Sequence, residues 1–233
     1  MTKLYYGCDE LDRGWDHYFK RCNALQLDLE TLDALPKTAT LNRWRVESPK
    51  GFSFTLCADS KFVNALTRLS ARGATELDAA AREAWQANVD RAHALAARAI
   101  LIRTPANFRP GQISRDLLEK VVNELAAPIK PLVIWESDGL WQLRDTLEFA
   151  NSIGLVYAHD PFIAYREEIP HTSGDAAWVL TERAGLRRKL DQFDMETMID
   201  WADNYQRVFC FMRGRFKWEH ARELKVALEY DAL

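Results

Sequence analysis

AILIRTPANFRPGQISRDLLEKVVNELAAPIKPLVIWE, residues 99–136, reads as an apolar strand, a break, a helix, a second break and another apolar strand. Pro105, Pro110 and Gly111 interrupt the chain after the first run, Ser114 is placed to cap the helix, and Pro128 and Pro131 bound the entry to the second run. The same alternation recurs along the chain. Its apolar runs are residues 3–8, 24–29, 52–57, 99–104, 131–136, 154–159, 177–181 and 207–213, each followed directly or after a loop by a stretch with helical spacing. Strands alternating with helices imply a parallel sheet, and eight such units imply an α/β fold of the (β/α)8 TIM-barrel type, whose working end lies at the C-terminal ends of the strands. Residues 1–233 are expected to form one domain, because such barrels run to about 250 residues.

Composition narrows the function classes. Hydrophobic residues make up 48% and charged residues 28% of the chain, as in an ordinary globular protein. A formal net charge of −3 gives no general reason to expect a nucleic-acid partner, which needs a basic face. The start, MTKLYYGCDELDRG, has no basic region followed by an apolar core, and no apolar run is long enough to span a bilayer. A cytoplasmic protein without a membrane partner is expected. The cysteines Cys8, Cys22, Cys57 and Cys210 lack CxxC spacing and read as reduced packing residues, although Cys8 and Cys210 fall on runs that would be neighbours in a closed barrel.

Between the strands, residues 75–98 carry apolar side chains at three- and four-residue steps, from Leu77 through Trp85 and Val89 to Leu95 and Ala96, with Thr75 as the expected N-cap. The longest irregular connection, residues 160–176, is a lid candidate on the working side.

Period-two alternation then selects site residues. In the second run Leu25, Leu27 and Leu29 alternate with Gln26, Asp28 and Glu30, which puts the polar set on one face, where Asp28 needs compensation. Glu136 shares a face with Leu132 and Ile134, Arg103 with Ala99 and Leu101, and Arg213 with Phe209 and Phe211. Opposite charges are therefore available to one another. Of His159 and Asp160, period two lets one face the interior, and the small Ala158 favours Asp160. His159 reads either as a hydrogen-bonded rim residue or as a proton carrier.

VIWESDGLW (133–141) followed by GLVYAHDPF (154–162) resembles the WExRGxW … DPF signature of the family catalogued as domain of unknown function 72, also called YecE-like. WDHYF (15–19), LNRWRVESPKGFSFTLCAD (41–59), ILIRTPANF (100–108) and VFCFMRGRFKWEHA (208–221) are similar to further elements of that family, in the same order along nearly the whole chain. The resemblance implies a TIM barrel of unestablished activity. Glu136 and Asp160 match the family's acids, whereas Asp138 replaces the Arg of WExRG, Arg103 replaces a Gln, and Met212-Arg213 replaces a pair of Asn. The family's Arg-Leu-His-Gly after the seventh strand is represented by Trp178 to Thr181, without the Arg or the His. This redistribution of charge implies a rewired or inactive relative.

Two readings of function follow. In the first, the chain is an enzyme for a small anionic or phosphorylated substrate, with Glu136 and Asp160 as the acid/base pair, His159 as a further proton carrier, and Asp28, Arg103, Arg183, Arg213 and Arg215 as ligand-binding residues. In the second it is a non-catalytic barrel with a degenerate site that binds a ligand or a protein, with Glu136 and Asp160 locked in ion pairs with Arg103 or Arg213 and the mouth filled by the loop 160–176. No cofactor is expected, since dinucleotide and Walker-type glycine loops are missing. No metal is expected either, because Asp28, Glu136, His159 and Asp160 lack local ligand spacing and the arginines would repel a cation.

Overall fold

The computed structural model describes residues 2–11, 14–171, 174–180 and 189–231. Every apolar run becomes a strand: β1 (Lys3–Cys8), β2 (Ala24–Leu27), β3 (Ser53–Cys57), β4 (Ala99–Thr104), β5 (Leu132–Ser137), β6 (Val156–His159), β7 (Asp175–Leu180) and β8 (Arg207–Met212). Between and after them lie α1 (Trp15–Phe19), α2 (Thr38–Glu47), α3 (Ser60–Ala71), α4 (Ala79–Leu95), α5 (Gln112–Lys120), α6 (Leu143–Ser152), α7 (Pro161–Arg166), α8 (Gln192–Ala202) and α9 (Lys217–Asp231). The hydrogen-bonded strand order is β1-β8-β7-β6-β5-β4-β3-β2, the order of a (β/α)8 barrel.

The chain divides into two compact units. The first comprises Met1–Gln26, Pro49–Ser53 and Ala158–Leu233. Here β8 pairs in parallel with β1, from Lys3↔Arg207 to Cys8↔Met212, and with β7, from Asp175↔Arg207 to Leu180↔Met212. Arg207 grips Asp175 with Nε at 2.8 Å and Nη2 at 2.5 Å, so the fork of one guanidinium aligns the start of two strands. Asn23 ties β1 to the beginning of β2: its backbone N–H donates to the Tyr6 carbonyl at 3.2 Å, its Oδ1 accepts from Tyr6 N–H at 2.7 Å and its Nδ2 donates to the Leu4 carbonyl at 2.9 Å. A Cβ on Gly7 would lie 1.8 Å from the Ala24 carbonyl oxygen, so this approach of backbone to backbone requires glycine.

The second unit comprises Leu27–Ser48 and Phe54–Tyr157. Its strands β3, β4 and β5 pair in parallel, and α3 and α4 join through Phe62 and Trp85, whose rings lie 4.9 Å apart. Asp59 at the N-terminus of α3 accepts from Phe62 N–H at 3.1 Å and from Arg91 of α4 at 2.8 Å, so one carboxylate caps one helix and pins the next.

Several local expectations change. The helix expected over 75–98 begins at Ala79, because Asp78, not Thr75, accepts the Ala81 N–H at 2.8 Å. Ser114 sits inside α5, bonded to the Ser70 hydroxyl at 2.7 Å, and caps nothing. The second run stops at Leu27, where Leu29–Thr31 tightens into a 3-10 turn. The connection 160–176 is not wholly irregular: it contains α7, and β7 begins within it at Asp175. Cys8 does not meet Cys210, since the register places Cys8 level with Met212 and Cys210 level with Tyr6.

Candidate functional site

In the second unit the ends of β4 and β5 bring a cation to an acid. Arg103 is level with Glu136 in the strand register, and its Nε stands 3.3 Å from Glu136 Oε2, with side-chain exposures of 39% and 12%. The alternation of apolar residues along each strand selected the two faces but left the partner of Glu136 open between Arg103 and Arg213; residues level on adjacent parallel strands project to one face. Tyr157 of β6 lies close by. Burial pushes its phenol up to about 12, and the negative charge of Glu136 adds to the effect.

The segment carrying Glu136 is held by indoles. Trp135 donates from Nε1 to the Thr104 hydroxyl at 3.0 Å and meets the Trp141 ring edge-on at 4.8 Å, while Trp141 Nε1 donates to the Phe108 carbonyl at 3.1 Å. Gly139 completes the turn: a Cβ there would sit 3.1 Å from Trp141 Cδ1 and 3.2 Å from both the Phe108 carbonyl and Ser137 Oγ. The WE…G…W spacing thus has a packing cause, with two tryptophans bracketing a turn in which a Cβ would crowd its neighbours.

In the first unit Asp160 follows β6 and caps α7. Its Oδ1 accepts the Phe162 N–H at 2.8 Å, and Pro161 begins the helix, where a missing N–H costs nothing. The Asp-Pro-Phe sequence is therefore a helix start. Its other oxygen, Oδ2, is buried with no hydrogen-bond partner among the described residues, and the residue is 9% exposed. Burial pushes the carboxyl up to about 6, opposed by the N–H groups of Phe162 and Ile163 and by the charge of Arg166. A carboxyl with that affinity for a proton exchanges it near neutrality. His159, half-buried, ends β6 level with Trp178 of β7. The thiol of Cys210 on β8 is pushed up by burial and then by the charge of Asp160.

Arg213 immediately follows β8, its N–H bonded to the Leu180 carbonyl at 3.0 Å. Its guanidinium is deeply placed, the residue being 8% exposed, and two of its donors converge on Oε1 of Gln26, Nη2 at 2.7 Å and Nε at 3.3 Å. Gln26, 2% exposed on β2, helps to fix the guanidinium in place. Arg215 is exposed, with its guanidinium 4.4 Å from the centre of the Phe216 ring. Arg183 lies outside the described residues.

Asp28 departs from its expected place on a strand face. Its Oδ1 accepts the Glu30 N–H at 3.0 Å and caps the 3-10 turn, because a short carboxylate satisfies a free N–H two residues ahead more readily than a distant cation. The residue bonded to Arg213 is its neighbour Gln26, whose signal was present in the alternation with Leu25 and Leu27. Tyr157 carried no such signal. Among the described residues no group of three or more His, Cys, Asp or Glu could hold a metal ion, and no helix is long and apolar enough to cross a membrane.

A family model described as protein of unknown function DUF72 matches residues 4–158. Among solved structures, a DUF72 family protein from Enterococcus faecalis superposes with a TM-score of 0.70 at 12% identity, over 98% of this chain and 96% of that one. SacUVDE superposes with a TM-score of 0.57 at 11% identity, over 94% of this chain and 84% of its own. A D-psicose 3-epimerase, solved in the presence of D-fructose, does so with a TM-score of 0.56 at 12% identity, over 92% and 90%. At these identities the likeness establishes the (β/α)8 fold. No curated protein matches the sequence.

Proposed function

This chain belongs to the DUF72 family of proteins of unknown function, and we propose that it binds a small ligand bearing a phosphate or carboxylate, with Arg213 receiving the anion and Asp160 exchanging a proton. The observation that carries this reading is the buried Asp160 carboxyl with an unbonded oxygen, which follows β6 in the same unit as the guanidinium that follows β8. Barrel enzymes of this class place their chemistry at those strand ends. A guanidinium fork matches the geometry of phosphate and carboxylate. Asp160, near 6, supplies an acid below that pH and a base above it. His159 is the adjacent proton carrier, and Arg183 and Arg215 extend the anion site. The protein acts in the cytoplasm on a small molecule, without a nucleic-acid or membrane partner.

A second reading, a non-catalytic ligand- or protein-binding barrel, is favoured by one contact. Glu136 is already engaged by Arg103, which makes it a charge to be balanced more than a group awaiting a substrate.

A thermal-shift screen of inorganic phosphate, sugar phosphates and small carboxylates on the wild type, Arg213→Ala and Glu136→Gln separates these readings. A ligand at a hundred times its Kd stabilises by about 2.7 kcal/mol, a shift of several degrees. Stabilisation in the wild type and Glu136→Gln that disappears in Arg213→Ala is the expected result. No response to any anion, or an equal response in Arg213→Ala, would overturn the proposal.

A further inference from the structure

Outside the strand ends, the helices α7 and α8 of the first unit carry aromatic side chains that the site above does not use. Tyr165 of α7 is 66% exposed, and its ring stacks on Trp201 of α8 at 5.0 Å, while Phe162 meets the same indole edge-on at 5.3 Å. Phe193, 75% exposed, is followed at four-residue steps by Thr197 and Trp201, which puts the three on one side of α8. The charge around these rings has one sign. From Asp191 to Gln206 the chain holds five acids and no Lys, Arg or His. Glu196, Asp200 and Asp203 are exposed on α8 and at its C-cap, as are Glu167 and Glu168 at the end of α7. Arg166, the one cation of α7, turns back to bond the Phe162 carbonyl through Nε at 3.2 Å.

This arrangement works against the helix that bears it. Glu196 and Asp200 are four residues apart and Asp200 and Asp203 three, spacings at which like charges repel. Asp200 lies in the last turn of α8 and Asp203 is its C-cap, where no basic residue offsets the negative end of the helix dipole. An incoming cation meets two carboxylates, a helix C-terminus and the face of a ring stack already held in place, attractions that an anion or a neutral group forgoes.

We propose that this face of α7 and α8 docks a cationic segment of a partner protein, with an arginine or lysine side chain laid on the Tyr165 and Trp201 rings beside Asp200 and Asp203, and an apolar side chain against Phe193. A nucleic acid or an anionic lipid surface is repelled by the same acids. A free small cation fills only one end, because Phe193 and Trp201 are eight residues apart, about 12 Å along the helix axis, a reach that takes several residues of peptide. Tyrosine and tryptophan suit the anchor, since they offer a large rigid surface and freeze few rotatable bonds on binding.

The test is fluorescence anisotropy, at physiological ionic strength, of a dye-labelled octapeptide alternating arginine and leucine, titrated with the full chain. Binding is expected to weaken by about tenfold when Asp200→Asn and Asp203→Asn are combined, and by about three- to tenfold in Tyr165→Ala. It is expected to hold when Glu83→Gln and Glu119→Gln are combined, which removes the same charge from exposed positions on α4 and α5. A peptide with citrulline in place of arginine keeps the shape without the charge and is expected not to bind, a comparison made on the wild type alone should a variant fold poorly. No binding of the arginine peptide, equal binding of the citrulline peptide, or equal weakening in the two charge variants would each overturn the proposal. So would self-association of the chain through this face, seen by light scattering and lost in Tyr165→Ala.

Discussion

Glu136, at the end of β5, meets a cation, whereas Asp160, after β6, is buried with one oxygen unbonded among the described residues. The contrast arises from the strands themselves. β4 and β5 run level to Arg103 and Glu136, so the register that builds the sheet also supplies the counter-charge. The β6–β7 pairing ends at His159↔Trp178, and the next residue is taken up in starting α7, which satisfies one oxygen of Asp160 and leaves the other without a partner among the described residues. The first arrangement balances a charge, and the second leaves a carboxyl oxygen buried without a hydrogen-bond partner among the described residues.

Three substitutions can break or sharpen this contrast. The largest effect is expected from Arg213→Met, which removes a buried guanidinium and the two hydrogen bonds it gives to Gln26, costing about 3–5 kcal/mol in urea unfolding. A loss below about 1 kcal/mol would mean that this guanidinium is no more fixed than a surface cation. Asp160→Asn comes next and carries the opposite sign. Because the carboxyl is raised from 3.8 to about 6, the unfolded chain releases its proton first as pH climbs, and the wild type loses stability across that window. Asn keeps the cap and never ionises. The variant should therefore match the wild type near pH 4 and exceed it near pH 7 by up to roughly 3 kcal/mol, read by denaturant unfolding at the two pH values. Parallel pH curves for the two proteins would remove the distinction between the acids. The smallest effect is expected from Glu136→Gln, which retains an oxygen facing Arg103 and should alter stability by less than about 1 kcal/mol.

Periodicity and local turn chemistry explain which of these features were legible in the chain. The strand runs carried the fold because alternation and apolar content survive whatever the distant partners are, and the same alternation selected the Arg103 and Glu136 faces before their register was known. It did not locate the end of β2, where a carboxylate at position 28 folds back on Glu30 N–H and leaves Gln26 to bond Arg213. Short-range hydrogen bonds compete with the strand, and period two carries no record of them. Asp160 was selected for its face, yet its cap with Phe162 and its free oxygen depend on the turn into α7.

The pairing of β1 with β8 bears on how the chain is made. Lys3 is level with Arg207, so β1 leaves the ribosome well before β8, the strand it pairs with, exists. Residues 54–157, contiguous in the second unit, can compact while synthesis is still under way. Through that interval Leu4, Tyr5 and Tyr6 remain a short apolar segment with an unfilled edge, the kind of stretch that chaperones shield and that neighbouring nascent chains can capture.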